Sequence, residues 1–520
     1  MNRSKCVHAG DTLKVNAINY PDRLGWQDGN KEFTFSQWNE RSCRFANGLK
    51  DLGVGSGETF AVISHNRGEW MDIYAGCANG GQVIVPIMFR LAAPEIEYIV
   101  NHSECKCMIV ESAFVDLIRG IREKLPVSTY VYLGDGPVPD GFIGYEELLA
   151  KSSPDEPGHL TPGDSNWIII YTSGTTGRPK GVVRTHESHV AHSMLSNINM
   201  GIRPTDKAML VMPMCHVNSI FYSFPYSMMA APVFIYDRAG FDPEDLLHCL
   251  DKYRITFTSL VPTHYRMILD LPGEIKNNVD VSSVRQLLIS SAPASRELKL
   301  AIMDFFPNAE LWEAYGCTEG GLATLLRPED QLRKLGSIGR EAFGIDRIKL
   351  LDANRKEVKD GEVGELYYRG PCIFKEYLKD PVKTREAFEG EWFSAGDMAM
   401  RDSDGYYTLV DRKANMIITG GENVYPSEVE NVLRACEAVR EAAVIGVPDR
   451  KWGEAIKAVI VLNEGYEADD AQARRIVDFC RGKVAGYKLP KSVDFIKEEE
   501  MPRTATGKIL HRMLKSSYSN

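Results

Sequence analysis

The first half of the chain alternates short apolar runs with amphipathic stretches. The runs 60–63 and 83–87 predict buried strands, and residues 69–80 between them predict a helix. Residues 107–110 and 130–133 are further strand candidates. A strand–helix–strand order at this spacing favours a parallel sheet with helices on its faces.

The pattern changes after about residue 336. Up to residue 411, short alternating runs such as 365–368 and 406–410 stand among many Gly, Asp and Tyr residues. This pattern predicts antiparallel β structure, either a small barrel or a sheet.

A third pattern begins at Arg412. Ser427 and Glu430, three residues apart, predict a capping box at the start of a helix. Residues 443–446 and 458–461 predict two strands. The predicted fold is therefore α/β and divides into a large N-terminal domain of layered α/β sheets, residues 1–411, with a β-rich subdomain at about 336–411, and a small α+β domain, residues 412–520.

The composition is that of a globular protein with a sizeable core. The 520 residues are 44% hydrophobic and 25% charged. With 61 basic and 71 acidic residues the net charge is −10, which argues against a nucleic-acid binder. Anionic ligands are still compatible, because backbone dipoles and single lysines bind phosphate in acidic proteins.

The cysteines and the apolar stretches bear on the compartment. Eleven scattered cysteines without a CxxC pair favour reduced thiols over a metal site. The N-terminus lacks the apolar stretch of a signal peptide, and the most apolar long stretch, 221–236, is interrupted by Pro225 and Pro232. We therefore expect no transmembrane segment and a cytoplasmic protein.

A dense run of glycine and hydroxyl residues, YTSGTTGRPKG, spans 171–181 after the apolar run 167–170. Its glycines allow a tight turn that brings backbone N–H groups close to a ligand. Its hydroxyls and Lys180 add donors suited to phosphate oxygens. The spacing of a Walker loop is absent, and 181–183 predicts a strand instead of a helix start. A flexible surface turn is the alternative, but ordinary turns rarely carry so many donors with a lysine.

This run resembles the phosphate-loop motif of the adenylate-forming superfamily, which comprises acyl- and aryl-CoA synthetases, luciferases and peptide-synthetase adenylation domains. Further motifs similar to those of the family follow in the family's order and extend the resemblance over nearly the whole chain: AYGCTE at 314–319, Gly-Asp at 396–397 with Asp-Arg at 411–412, GGENV at 420–424, and PRTATGK at 502–508.

The resemblance implies a two-step reaction. A carboxylate attacks the α-phosphate of ATP and expels pyrophosphate, and the thiol of coenzyme A then takes the acyl group and releases AMP. Because two anions must meet in line, the site must supply positive charge and fixed geometry. The implied cofactors are ATP, Mg²⁺ and coenzyme A. The C-terminal domain is implied to be mobile, with a pivot at 412–415, where Ala414 stands in place of the usual Asp or Lys.

The resemblance also implies the catalytic residues. Lys508 contacts the carboxylate and the α-phosphate, and Thr318 contacts the α-phosphate. Glu319 is the expected Mg²⁺ ligand, a hard oxygen donor. His216 gates the acyl pocket or packs against the substrate. The plain alternatives are a solvated lysine, a surface carboxylate and a structural histidine.

Two binding sets follow from the same resemblance. Tyr315 is expected to stack on adenine, and Asp397 and Arg412 are expected to contact the ribose. The glycines after Thr419 are expected to line the path of the pantetheine arm. The nucleotide- and CoA-binding set is Thr172, Ser173, Gly174, Thr175, Thr176, Gly177, Lys180, Glu313, Ala314, Tyr315, Gly316, Asp397, Arg412, Gly420, Gly421 and Glu422. The acyl-pocket set is His216, Val217, Asn218, Ser291, Ala292, Gly316, Cys317, Gly320 and Gly321.

The acid itself is less well defined by the sequence. Segments 374–377, 411–417 and 454–458 are most similar to crotonobetaine/carnitine–CoA ligases and related short-acid ligases, but they are scaffold segments. A quaternary ammonium would need an aromatic or acidic cage, and no acid accompanies Phe221 and Tyr222. We expect a short, branched, hydroxylated or otherwise small carboxylic acid, and Asn218 is a candidate partner for a hydroxyl.

Several alternatives stay open. In one alternative, the enzyme passes the acyl group to a carrier protein or to oxygen instead of coenzyme A. In another, it is an aryl- or fatty acid–CoA ligase. A non-catalytic nucleotide-binding relative is less favoured, since it has no chemical need for all these residues. A homodimer is compatible with the sequence.

Overall fold

The computed structural model describes residues 8–29, 31–158, 161–172, 179–238, 240–290, 294–420, 422–503 and 509–518. These residues cluster into two compact units. The first comprises the described parts of Met1–Thr172, Pro179–Ile348 and Tyr368–Phe393, and the second those of Lys349–Tyr367 and Ser394–Asn520.

The helices and strands follow the chain in this order. The helices are α1 (Asp11–Asn19), α2 (Phe35–Asp51), α3 (Glu69–Gly80), α4 (Ala93–His102), α5 (Val115–Arg119), α6 (Tyr145–Lys151), α7 (His186–Met200), α8 (Val217–Met228), α9 (Pro243–Lys252), α10 (Pro262–Leu269), α11 (Gly273–Asn277), α12 (Arg296–Phe305), α13 (Pro381–Glu386), α14 (Pro426–Arg434), α15 (Asp470–Cys480) and α16 (His511–Ser517). The strands are β1 (Leu24–Asp28), β2 (Lys31–Thr34), β3 (Thr59–Ile63), β4 (Val83–Ile87), β5 (Cys107–Glu111), β6 (Thr129–Leu133), β7 (Ile143–Gly144), β8 (Asn166–Thr172), β9 (Lys180–Thr185), β10 (Ala208–Leu210), β11 (Val233–Ile235), β12 (Phe257–Leu260), β13 (Gln286–Ile289), β14 (Glu310–Cys317), β15 (Gly321–Leu326), β16 (Arg340–Glu341), β17 (Lys349–Leu351), β18 (Val363–Tyr367), β19 (Glu376–Tyr377), β20 (Phe388–Glu389), β21 (Trp392–Phe393), β22 (Asp397–Arg401), β23 (Tyr407–Arg412), β24 (Ile417–Thr419), β25 (Glu422–Val424), β26 (Val439–Asp449), β27 (Gly453–Leu462) and β28 (Ser492–Phe495).

The first unit contains two large sheets. Within the described residues, one sheet has the order β16-β15-β14-β13-β12-β10-β11-β1-β2 and the other β19-β9-β8-β4-β3-β5-β6-β7. Strands β3, β4, β5 and β6 pair in parallel. The predicted strands 60–63, 83–87, 107–110 and 130–133, and the predicted helix 69–80, are therefore confirmed. Parallel strands of this kind are apolar along their whole length because helices cover both faces.

The core of the first unit is rich in aromatic side chains. Trp70, Tyr74, Trp167 and Phe224 are buried in one apolar cluster with residues of both large sheets. Tyr74 also donates its hydroxyl hydrogen to the Met214 carbonyl (2.7 Å), which fixes the segment just before α8. Burial of large rings supplies much of the apolar area that drives folding.

The second unit also contains two sheets. Strands β17, β18, β22 and β23 form an antiparallel sheet, so the predicted antiparallel structure is confirmed as a sheet. Strands β26 and β27 form a long hairpin that contains the predicted strands 443–446 and 458–461. The four-stranded sheet clusters with the C-terminal residues. The boundary after residue 411 stays a prediction.

The predicted capping box at Ser427 and Glu430 is wrong. Helix α14 begins at Pro426, and the side chain of its N-cap residue Tyr425 makes no capping bond. The Ser427 N–H donates to the Asp411 carboxylate (2.9 Å). The Ser427 hydroxyl instead donates to the Val410 carbonyl, and the buried Glu430 carboxylate accepts from the Val444 N–H (2.8 Å). A buried carboxylate must be hydrogen-bonded, and here the strand behind the helix provides the donor.

The apolar stretch 221–236 forms the end of α8, which continues through Pro225, and strand β11. In the described part of the chain, no helix combines the length and apolar character needed to cross a membrane.

Candidate active site

The turn between β14 and β15 carries the predicted Thr318 and Glu319. Thr318 is buried and Glu319 is half-buried. The turn packs so tightly that a Cβ on Gly320 would lie 1.6 Å from the Tyr368 hydroxyl oxygen. A larger residue would force Tyr368 or the turn to move, so the packing favours glycine at this position.

Arg184, which belongs to none of the sequence motifs, supports this turn. The side chain is fully buried on β9. Its guanidinium donates to the carbonyl oxygens of Thr318 (2.9 Å) and Cys372 (2.8 Å). Burial lowers the pKa of Arg184, but a guanidinium stays protonated in proteins. A charged residue directly after the apolar pair Val182 and Val183 was the available signal.

The Glu319 carboxylate is held by the segment that forms β19. The Tyr377 hydroxyl donates to Glu319 Oε1 (2.9 Å), and the Phe374 N–H donates to the Glu319 carbonyl (2.6 Å). Strand β19 pairs with β9, which brings Tyr377 beside Val182. A half-exposed carboxylate fits Mg²⁺, which is usually bound by one or two carboxylates together with substrate phosphates.

Lys180 lies over the ring of Tyr377. Its Nζ is 4.6 Å from the centre of the Tyr377 ring. Burial lowers the pKa of the Lys180 ammonium, and the charge of Glu319 opposes this shift. Thr172 and Lys180 are paired across β8 and β9, at the two ends of the glycine- and hydroxyl-rich run. The structure thus brings together Lys180 and Glu319, which are far apart in sequence.

The predicted acyl-pocket residues begin at the N-terminus of α8. His216 is the N-cap, and its Nδ1 accepts from the Asn218 N–H (3.3 Å). Burial lowers the pKa of the His216 imidazole to about 4, so the ring is neutral at pH 7. Val217 is half-buried, and Asn218 is buried against Ser259 and Ser290. Ser259 and Ser290 come from the carboxyl ends of two parallel strands, where open α/β sheets bind ligands.

The small residues of the other predicted wall face protein atoms. A Cβ on Gly316 would lie 2.1 Å from the Gly321 carbonyl oxygen, and one on Gly321 would lie 2.8 Å from the Cβ of Cys372. The Cys317 Sγ lies 3.4 Å from the Tyr368 hydroxyl. Close packing of the hairpin accounts for these glycines, and their role beside the substrate stays a prediction.

Strand β14 also carries the remaining predicted adenine residues. Ala314 and Tyr315 are half-buried. The Glu313 carboxylate is paired with the buried Lys299 ammonium, and burial raises the pKa of Glu313. Since this carboxylate is already engaged by a buried partner, its contribution to nucleotide binding stays a prediction.

The second unit carries the predicted ribose and CoA residues. Arg412 Nε donates to the buried Asp397 carboxylate (3.1 Å), and these residues are paired across β22 and β23. Gly420 has a φ of +60°, and a Cβ there would lie 2.9 Å from the Trp452 ring. Glu422 is exposed at the start of β25.

The remaining predicted residues lie outside the described part of the chain, namely Ser173, Gly174, Thr175, Thr176, Gly177, Ser291, Ala292, Gly421 and Lys508. Their roles stay predictions.

Known proteins with similar sequences and folds agree with one another. Residues 13–378 match the family described as AMP-binding enzyme, and residues 428–508 match the AMP-binding enzyme C-terminal domain. The long-chain-fatty-acid–CoA ligase FadD13 of Mycobacterium tuberculosis is 35% identical over 94% of this chain and 93% of its own. The feruloyl-CoA synthase of Amycolatopsis sp is 32% identical over 94% of this chain and 95% of its own. The crystal structure of the anthranilate CoA ligase AuaEII in complex with anthranoyl-AMP has a TM-score of 0.87 and 28% identity, covering 99% of this chain and 98% of that one.

The fold and the site define an adenylate-forming enzyme, in which a parallel α/β unit presents the Lys180 ammonium near the Glu319 carboxylate. The chain belongs to the AMP-binding enzyme family. It is an AMP-forming acid–thiol ligase that uses ATP, Mg²⁺ and coenzyme A with an acyl or aryl acid.

Proposed function

We propose that the chain joins a small carboxylic acid, which is short, branched or hydroxylated, to free coenzyme A in the cytoplasm. The observation that carries the proposal is that Lys180 on β9 and Tyr377 on the neighbouring β19 lie beside Glu319 in the β14–β15 turn. The relatives named for a fatty acid, for ferulate and for anthranilate support the reaction. These relatives act on different acids, so the substrate acid of this chain has to be inferred from its own residues.

In the adenylation step, Lys180 and Thr318 bind the phosphates of ATP, and Lys508 stabilises the charge that develops as the carboxylate attacks. Glu319 would hold Mg²⁺, which when bound neutralises phosphate charge. Tyr377 orients the Glu319 carboxylate through its hydrogen bond. His216 is neutral at pH 7, since burial lowers its pKa to about 4, so it packs beside the acyl group without adding charge.

In the thioester step, Asp397 and Arg412 retain the ribose, and Gly420 with Gly421 leaves room for the pantetheine arm. The C-terminal domain turns about residues 412–415 between the two steps. The coenzyme A thiolate attacks the acyl carbonyl carbon, and AMP leaves with the electrons of the broken C–O bond.

The first experiment measures ATP–pyrophosphate exchange and CoA-dependent AMP formation with a panel of short, branched, hydroxylated, aromatic and fatty acids. Lys508→Ala is expected to reduce exchange by about 100- to 1,000-fold, the usual effect of removing one donor to developing charge. The matched control is Lys491→Ala, an exposed lysine. Exchange without any dependence on acid, or full activity of Lys508→Ala, would contradict the proposal.

Two properties are tested separately. If a carrier protein is the acceptor, acid-dependent exchange persists but free coenzyme A produces no AMP, and a phosphopantetheinyl carrier restores AMP release. A homodimer is expected to elute at twice the chain mass of 58.2 kDa in light-scattering chromatography.

A further inference from the structure

Three polar side chains meet at the carboxyl ends of two parallel strands. The Asn218 amide Nδ2 donates to Ser259 Oγ (3.0 Å) and to Ser290 Oγ (2.7 Å). The two hydroxyl oxygens lie 3.4 Å apart. Ser259 is on β12 and Ser290 directly follows β13, and these strands pair in parallel. We call these three residues the Asn218 cluster.

The hydrogen bonds within the Asn218 cluster leave one donor and one acceptor unused. Both amide hydrogens of Asn218 are used by the serine oxygens, and one serine hydrogen is used between the hydroxyls. The other serine hydrogen and Asn218 Oδ1 have no hydrogen-bond partner among the described residues. The cluster therefore offers one donor and one acceptor, and Ser290 is half-buried. A hydroxyl group of a ligand, which both donates and accepts, can complete the hydrogen bonding of both groups.

Aromatic rings lie on the same helix face as Asn218. Phe221 and Tyr222 follow Asn218 by three and four residues on α8, so they project from the same face of the helix, and both are buried. The ring of His192 packs on Phe221 at 4.1 Å between centres. A few polar groups in a mostly apolar lining are typical of a site that selects one orientation of a small ligand.

We propose that the Asn218 cluster binds a hydroxyl group on the acyl part of the substrate, so that the preferred acid is a hydroxy acid, aliphatic or phenolic. A hydroxyl donates to Asn218 Oδ1 and accepts from the free serine hydrogen at the same time. An acid without such a group displaces water and leaves both protein groups unpaired, which is the costly case. This inference rests on the proposed function, because it names the acid for the same site.

The test compares matched acids that differ only in one hydroxyl: 4-hydroxybenzoate with benzoate, 4-hydroxycinnamate with cinnamate, 3-hydroxybutanoate with butanoate, and 6-hydroxyhexanoate with hexanoate. In at least one pair we expect kcat/KM for ATP–pyrophosphate exchange to favour the hydroxy acid by about tenfold or more. Ser290→Ala and Asn218→Leu are expected to lower this ratio at least threefold, since each removes part of the cluster.

Ser223→Ala is the matched control. Its hydroxyl lies on the same helix but donates to the Ile220 carbonyl, so the preference ratio should be unchanged. Because Ser290→Ala removes a single oxygen, it covers the case in which Asn218→Leu does not fold. Equal use of both acids in every pair overturns the inference while the ligase function stands. If no acid supports exchange, the proposed function fails, and the inference with it.

Discussion

Arg184 is a buried cation that is held by carbonyl oxygens. Its contacts with Thr318 and Cys372 need a planar group with several donors in fixed directions, which lysine cannot reproduce. Arg184→Lys should therefore leave at least one buried carbonyl unpaired and lower the free energy of unfolding by about 1–3 kcal/mol. Adenylation should fall as well, because Thr318 lies in the supported turn. Urea unfolding and pyrophosphate exchange measure the two effects.

Arg254→Lys is the control variant for Arg184→Lys. Arg254 pairs with Asp280 near the surface, where an arginine–carboxylate pair is worth little. If Arg184→Lys is no more destabilising than Arg254→Lys, the support of the turn by Arg184 is refuted.

Tyr377 contacts Glu319 through a single oxygen atom. Tyr377→Phe removes this hydrogen bond but keeps the ring that Lys180 packs against. A hydrogen bond to a charged group contributes about 1.5–3 kcal/mol. We expect the Mg²⁺ concentration that gives half-maximal exchange to rise by about tenfold or more, the factor that corresponds to this energy. Titration of Mg²⁺ at saturating ATP checks this, with Tyr253→Phe, whose hydroxyl donates to the Gly29 carbonyl, as control. An unchanged Mg²⁺ requirement would show that Tyr377 does not orient Glu319 for Mg²⁺ binding.

At the scale of elements, the β14–β15 hairpin positions two predicted catalytic residues through close packing. Gly320→Ala places a methyl group 1.6 Å from the Tyr368 hydroxyl oxygen, so the hairpin or Tyr368 has to move. Overpacking of this kind costs about 1–3 kcal/mol. We expect lower stability and a loss of pyrophosphate exchange, both measured on the same preparation.

Gly273→Ala is the matched change at an open position. A Cβ at this position on α11 would have no atom within 4 Å among the described residues, so stability and exchange should be retained. If Gly320→Ala behaves like Gly273→Ala, the hairpin is less rigid than its packing indicates.

The elements of the first unit were largely predictable from the sequence, because uniform apolar runs such as 60–63 and 107–110 identify strands covered on both faces. Local patterns failed where a distant segment supplies the partner. Ser427 has the spacing of a capping residue, but its hydroxyl donates to the carbonyl of Val410 on β23. Lys180 and Tyr377 lie far apart in the sequence and meet because β9 and β19 pair. The motifs predict the adenine and phosphate segments, whereas the side chains that support those segments, such as Arg184, become visible only in the fold.

At the scale of the whole molecule, buried histidines couple folding to pH. Three of them, His186, His189 and His192, lie on α7, and burial lowers the pKa of each, that of His192 to about 3. In the unfolded chain a histidine has a pKa of about 6.5. Above that pH both states are neutral, and the histidines do not affect stability. Below it the unfolded chain binds protons that the folded chain excludes, so stability falls as the pH falls.

His192→Gln tests this coupling. Glutamine does not titrate, so the variant should lose stability less steeply between pH 6 and 4.5, by about 1.4 kcal/mol per pH unit. At pH 7.5 it should be less stable than the wild type, since the ring packed on Phe221 is lost. Urea unfolding followed by tryptophan fluorescence reports on the first unit, because Trp452 alone of the seven tryptophans belongs to the second. His248→Gln, at an exposed position on α9, should keep the slope of the wild type. Equal slopes for His192→Gln and the wild type would mean that His192 is protonated in the folded protein, which its burial beside the Arg184 guanidinium opposes.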